Sequence, residues 1–157
     1  MAVAPSPCVI DYRSSFCFPV APDELWERLE KVDRYERWLG WLSEFRLDGG
    51  SLKPGSVLSG VVAPPLPYRM RVRVDLDECQ RPAVLGGAVH GDLEGRARLV
   101  FEPRPSGTEV EVSWTIEMMQ RPMRLAARVA HPLLRWGHDR VVDATVANFR
   151  RHLAGRP

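Results

Sequence analysis

General acid–base chemistry needs a group that titrates near neutral pH, and this chain carries four histidines. His138 stands at the edge of an apolar helical stripe, where an imidazole could donate to a ligand carbonyl or move a proton. A histidine simply bonded inside a core is the plainer reading of the same position. Tyr12 and Tyr68 fall on inward strand positions and could orient a ligand oxygen, although buried Tyr hydroxyls also find local partners. His131 precedes His138 by seven residues, roughly 10 Å along a helix, too far to share one zinc ion at about 2 Å per bond. His90 takes an outward strand position and His152 lies near an exposed helix end, so neither metal nor cofactor is expected. Glu109 and Glu111, like Asp75 and Asp77, have the spacing of paired carboxylates, but on the wet face of their strands. Their expected partners are Arg96 and Arg98, in weak surface pairs. The run GGAVHG leads into another strand and lacks the helix N-terminus that a phosphate loop uses. There is no Gly-x-Ser-x-Gly motif, and no cysteine has a clear histidine partner.

Composition narrows the classes further. A chain of 157 residues suits a single domain, taken here as 1–157 with its core at about 8–154. The net charge of +2 is too small to argue for nucleic acid, and the arginines are scattered without forming a block. The opening MAVAPSPCVI has no basic n-region, and no stretch approaches the roughly 18 apolar residues of a membrane span. Cys8 and Cys17 fall on opposite faces of one strand and Cys79 is left over, so free thiols in a reducing cytoplasm are expected.

The elements that must position these groups are written in two periods. In GDLEGRARLVFEPRPSGTEVEVSWTIE, apolar and polar side chains alternate on both sides of PRPSG, as in an antiparallel hairpin with one dry face. Residues 9–18 alternate likewise, and further strands are expected at 43–48, 56–63, 68–77 and 84–90. Between the first two strands lie two short helices, PDELWERLEKV, opening on acidic residues, and DRYERWLGWL, capped by Asp33. From about 122 to 153 the period is helical, with Pro132 dividing a short lead-in from a long final helix. Seven alternating strands and one long amphipathic helix bury their dry faces if the sheet curls around the helix, giving an α+β fold.

Several phrases resemble one family. "FPVAPDELWERL" is similar to the strand-to-helix opening of the SRPBCC superfamily, the START and birch-pollen-allergen-like helix-grip proteins. "DRYERWLGWL" resembles its second short helix, with Trp38 at the typical tryptophan. The Gly-Asp-Leu, Gly-Thr and strand-Trp pattern of residues 91–117 and the closing "GHDRVVDATVANFRRHL" resemble the polyketide cyclase/dehydratase-like branch. The resemblance implies a hydrophobic cavity between sheet and final helix, entered near the short helices. Members bind lipids, sterols, polyketides or plant hormones, and some catalyse cyclisation or dehydration. One departure is Gly87, where related sequences often carry Trp. Sharing parity with Leu85 and Val89, it should enlarge the cavity, and a side chain placed there should point inward.

The expected lining is Tyr12, Phe16, Phe18, Trp38, Tyr68, Met70, Val72, Leu85, Gly87, Val89, Leu99, Phe101, Val112, Trp114 and Ile116 from the first part of the chain. The final helix adds His138, Val142, Thr145 and Phe149. Three functions remain open: binding of a lipid, aromatic or polyketide-like ligand; a cyclase/dehydratase-type enzyme using His138 and a Tyr; and a partner-binding protein whose short-helix face exposes Trp41. A homodimer also stays open. The inward list is poor in ionisable groups, which favours binding.

Overall fold

The computed structural model describes residues 6–31, 39–65 and 68–154. Alternation sets the strands: β1 (Val9–Phe18), β2 (Leu42–Asp48), β3 (Val57–Val62), β4 (Met70–Gln80), β5 (Val84–Gly91), β6 (Leu93–Arg104) and β7 (Gly107–Met118). They form one antiparallel sheet in the order β1-β7-β6-β5-β4-β3-β2. The hairpin read around PRPSG is β6–β7, in register from Leu93↔Met118 to Arg104↔Gly107. Helix α1 (Pro22–Glu30) begins with Pro at its first turn and Asp23 and Glu24 facing the helix dipole, and it buries Leu25 and Trp26. Most of the second short helix expected from DRYERWLGWL, with Asp33 and Trp38, lies outside the described residues.

Helix α2 (Arg121–Ala154) crosses the sheet face, completing a helix-grip α+β fold. It bends at Ala130 (φ −134°, ψ 44°), two residues before Pro132. A proline lacks the N–H its turn needs and crowds the carbonyl four residues back, so the bend falls just ahead of it. α2 is fastened to the free edge of β1. Arg135 donates to the Asp11 carbonyl at 3.4 Å, and Arg150 donates to that of Cys17 at 3.2 Å. Those carbonyls belong to an edge strand, and covering them also blunts the edge against pairing with another chain.

Two apolar clusters divide the interior. One joins Ile10, Met70, Val89, Ile116 and Met118 to Met123, Ala127 and Leu134 of α2. The other joins Phe18, Leu25, Trp26, Leu76, Leu85 and Phe101 to Phe149 and Leu153. Cys8 is buried and Cys17 exposed, as their opposite parities require, and all three cysteines are free.

The wet face follows the alternation, but its pairing differs from the expectation. Asp77 does take Arg96 in a two-pronged bond of 2.7 Å on each arm. Arg98 instead forks onto Glu78, because a bulge between Leu76 and Glu78 shifts the β4 register. Glu111 binds Arg13 at 2.8 Å and Glu109 binds Arg104 at 2.7 Å; register sets Glu111 diagonal to Arg98, close enough for its charge to favour the guanidinium, while Glu109 lies opposite Glu102. Asp75 holds Arg73 and lies 3.5 Å from His90. Each of these carboxylates thus pairs with an arginine, and Asp75 Oδ1 is buried without a hydrogen-bond partner among the described residues.

Candidate functional site

Within the second cluster the helix does not close onto the sheet, and a cavity of about 330 Å³ remains. The dry faces of three strands make its floor, through Phe16 and Phe18 of β1, Leu99 and Phe101 of β6, and Val110, Val112 and Trp114 of β7. Its roof is α2, with His138, Val141, Val142, Thr145, Val146 and Phe149. Leu25 and Leu29 of α1 and Trp41 close the flank. A second cavity of about 100 Å³ lies toward the other cluster, with Tyr68, Met70, Ile116 and Leu134 in its wall. His138 and Val141 line both. A wider, open groove of about 560 Å³ runs along β2–β5. Its walls mix charged side chains (Glu44, Arg46, Arg71, Arg73 and His90) with Val61 and Val72.

The polar groups of the larger cavity are already engaged. Trp41 Nε1–H donates to Thr145 Oγ1 at 2.8 Å, and that hydroxyl donates to the Val141 carbonyl at 2.7 Å. Trp114 Nε1–H donates to His138 Nε2 at 3.0 Å. His138 Nε2 is therefore the acceptor nitrogen, its proton sits on Nδ1, and Nδ1–H reaches Asp139 Oδ1 at 3.0 Å. Burial pushes the His138 pKa below its ordinary value, against a smaller opposing pull from Asp139. Protonating Nε2 would also set two donors against each other at the indole. The imidazole is thus neutral near pH 7. Burial pushes the Tyr68 phenol up, so it too stays neutral and able to donate.

Ten of the expected residues line the larger cavity: Phe16, Phe18, Leu99, Phe101, Val112, Trp114, His138, Val142, Thr145 and Phe149. Tyr68, Met70 and Ile116 line the smaller one. The others fall elsewhere. Tyr12 stacks on Trp114 at 4.7 Å and meets the His138 ring at 5.0 Å, so it buttresses the site from behind. Leu85 and Val89 are packed into separate core clusters. Val72 borders the charged groove. Trp38 lies outside the described residues.

Gly87 requires a correction. A Cβ built there would lie 2.4 Å from the Asp75 carbonyl oxygen and 3.0 Å from Val74 Cγ1. It pairs with Leu76 at the edge of the β4 bulge, where the neighbouring backbone presses in. A side chain at 87 would meet the Asp75 backbone before any open space. Trp41, expected on an exposed partner-binding face, turns inward to Thr145.

Sequence reasoning missed Leu25, Leu29, Trp41, Val110, Val141 and Val146 as lining. Val110 shares parity with Val112, and Val146 lies on the α2 stripe, so both carried a signal. Nothing in the local pattern points Trp41 toward a residue 104 positions away.

A seven-stranded antiparallel sheet curled against one long helix, with an apolar cavity between them, is the helix-grip arrangement. Residues 10–154 match the family model described as polyketide cyclase / dehydrase and lipid transport, and the chain belongs to that family. Among solved structures it is similar to TTHA0849 from Thermus thermophilus (TM-score 0.68, 13% identity, covering 88% of this chain and 96% of that one). It is also similar to the di-domain ARO/CYC StfQ from the steffimycin biosynthetic pathway (TM-score 0.68, 14% identity, 96% of this chain, 54% of that one). A third similar structure is Ara h 8.0201 (TM-score 0.60, 15% identity, 88% and 96%). At these identities the likeness is one of fold. No curated protein matches the sequence.

Proposed function

We propose that this protein binds an apolar small molecule in the cavity between β1, β6, β7 and α2. The observation that carries the reading is the apolar cavity whose few polar groups already bond one another. Such a wall offers water little, and a hydrated void there is costly. At ~30 Å³ of liquid per water, about 330 Å³ equals roughly eleven waters, which suits a compact ring system or short acyl segment. The free cysteines support action in a reducing cytoplasm. Native mass spectrometry of protein purified from its own host tests the reading, together with saturation by an environment-sensitive dye. One apolar molecule per chain is expected, displaced by the dye. Apo protein that takes up neither dye nor lipid would overturn the proposal.

A second reading, a cyclase/dehydratase-type enzyme, is favoured by one observation: the neutral His138 imidazole borders both cavities. StfQ is titled an ARO/CYC of a biosynthetic pathway, which lends the reading some support by fold. In such an enzyme, His138 Nε2 must first leave the Trp114 indole before it can accept a substrate proton, with Tyr68 as the neighbouring proton donor. His138→Ala should then lower turnover about 10²–10⁴-fold while leaving ligand affinity within a few-fold. Unchanged turnover would remove His138 from the chemistry.

A further inference from the structure

The first half of α2 carries an apolar face that no described part of the chain covers. Leu125 and Val129, four residues apart, share one side of the stretch before the bend at Ala130, and Leu133 and Trp136, three apart, share one side of the stretch after it. They are 65%, 80%, 53% and 50% exposed. Exposed apolar patches of this kind mark contact surfaces.

Charge identifies the contact. Residues 118–138 contain no Asp or Glu, but four arginines at 121, 124, 128 and 135. Arg124 is paired with Glu117 at 2.9 Å, and Arg135 leans on Asp139 at 3.7 Å. Arg121 and Arg128 are exposed and have no ion-pair partner among the described residues. At the end of the stripe the Arg140 guanidinium lies over the Trp136 ring, 5.8 Å from its centre. An apolar stripe bordered by arginines and ended by Trp is the pattern of a helix lying in a lipid interface: rings and aliphatic side chains enter the acyl boundary while guanidinium groups meet phosphates. A second copy fits poorly. A two-fold contact would set the unpaired Arg121 and Arg128 against the same basic face of the other chain.

We propose that this face of α2 docks the protein on an anionic bilayer surface. No helix among the described residues is long and apolar enough to cross a membrane, so the contact is interfacial. The proposal does not depend on what the cavity holds. The same helix segment nevertheless turns Met123 and Leu134 inward to the smaller cavity.

The test is co-sedimentation with vesicles of phosphatidylcholine alone or with one quarter phosphatidylglycerol, at ~0.1 M and ~1 M salt, where the screening length is about 10 Å and about 3 Å. Binding is expected only to the anionic vesicles, and most of it should be lost at high salt. Each arginine at such a surface contributes about five-fold to partitioning, so Arg121→Gln with Arg128→Gln should weaken binding roughly 25-fold. Leu125→Glu with Val129→Glu should weaken it more than about ten-fold. Both positions are exposed, so the melting curve and dye uptake should stay as in the parent. No binding to anionic vesicles would overturn the proposal, as would equal binding to neutral ones. So would indifference to either double variant, or a concentration-dependent dimer that Leu125→Glu with Val129→Glu dissolves.

Discussion

Replacing Trp114 by Phe removes one N–H and keeps most of an aromatic ring against Tyr12. In the parent, that N–H donates to His138 Nε2, an imidazole whose side chain is only 12% exposed. Removing a donor costs the net bond, about 0.5–1.5 kcal/mol, and leaves a buried acceptor unsatisfied, about 1–3 kcal/mol if water cannot reach it. The expected loss is about 2 kcal/mol. At about 2–4 °C per kcal/mol for a chain of this size, the melting temperature should fall by about 4–8 °C. The pH dependence is more diagnostic. Burial depresses the His138 pKa, and the unfolded chain takes up its proton near the ordinary value of 6.5. The stability contribution is therefore complete above about pH 6.5 and is lost as pH falls toward the folded-state pKa. In Trp114→Phe the donor that obstructs Nε2 protonation is gone, so the pKa should rise toward its ordinary value and the acid-side loss should shrink. Titration of the His138 ring proton by NMR, alongside urea melts across about pH 5–8, reads both effects. An unchanged His138 pKa and an unchanged acid-side slope would refute the proton assignment, whatever the melting temperature does.

Gly87→Ala should destabilise by about 1–3 kcal/mol or more, because its Cβ meets the fixed Asp75 carbonyl, whereas Gly40→Ala, with nothing within 4 Å, should stay within about 0.5 kcal/mol by urea melt. Thr108→Val should cost about 1–3 kcal/mol, since the buried Thr108 hydroxyl satisfies the Val20 carbonyl at 2.7 Å. Val142→Trp places its ring in the larger cavity and should abolish dye uptake while the circular dichroism spectrum is retained; full uptake would mean the dye binds elsewhere. Thr145→Val should loosen Trp41, seen as a red shift of indole emission, and a spectrum identical to the parent would count against the Trp41–Thr145 bond.

Period-two alternation is a local property, and it was enough to assign Phe16, Phe101, Val112 and Trp114 to one dry face, just as the helical period put Val142 and Phe149 beneath α2. Those assignments hold because a strand or helix has no freedom to present its residues otherwise. Alternation says nothing of depth. Leu85 and Leu99 are cross-strand neighbours with the same parity, yet one is packed core and the other lines the cavity. Which of them meets empty space depends on where α2 crosses the sheet, and that is set by the bend at Ala130 and the Arg135 and Arg150 anchors on β1. The β4 bulge is equally silent in sequence: it follows from how β4 and β5 settle against each other, and it turned Gly87 from an apparent opening into a close backbone contact. His138 was legible as a polar group on an apolar stripe. Its tautomer was not, because the indole that sets it comes from β7, and only the folded chain brings the two rings within one hydrogen bond.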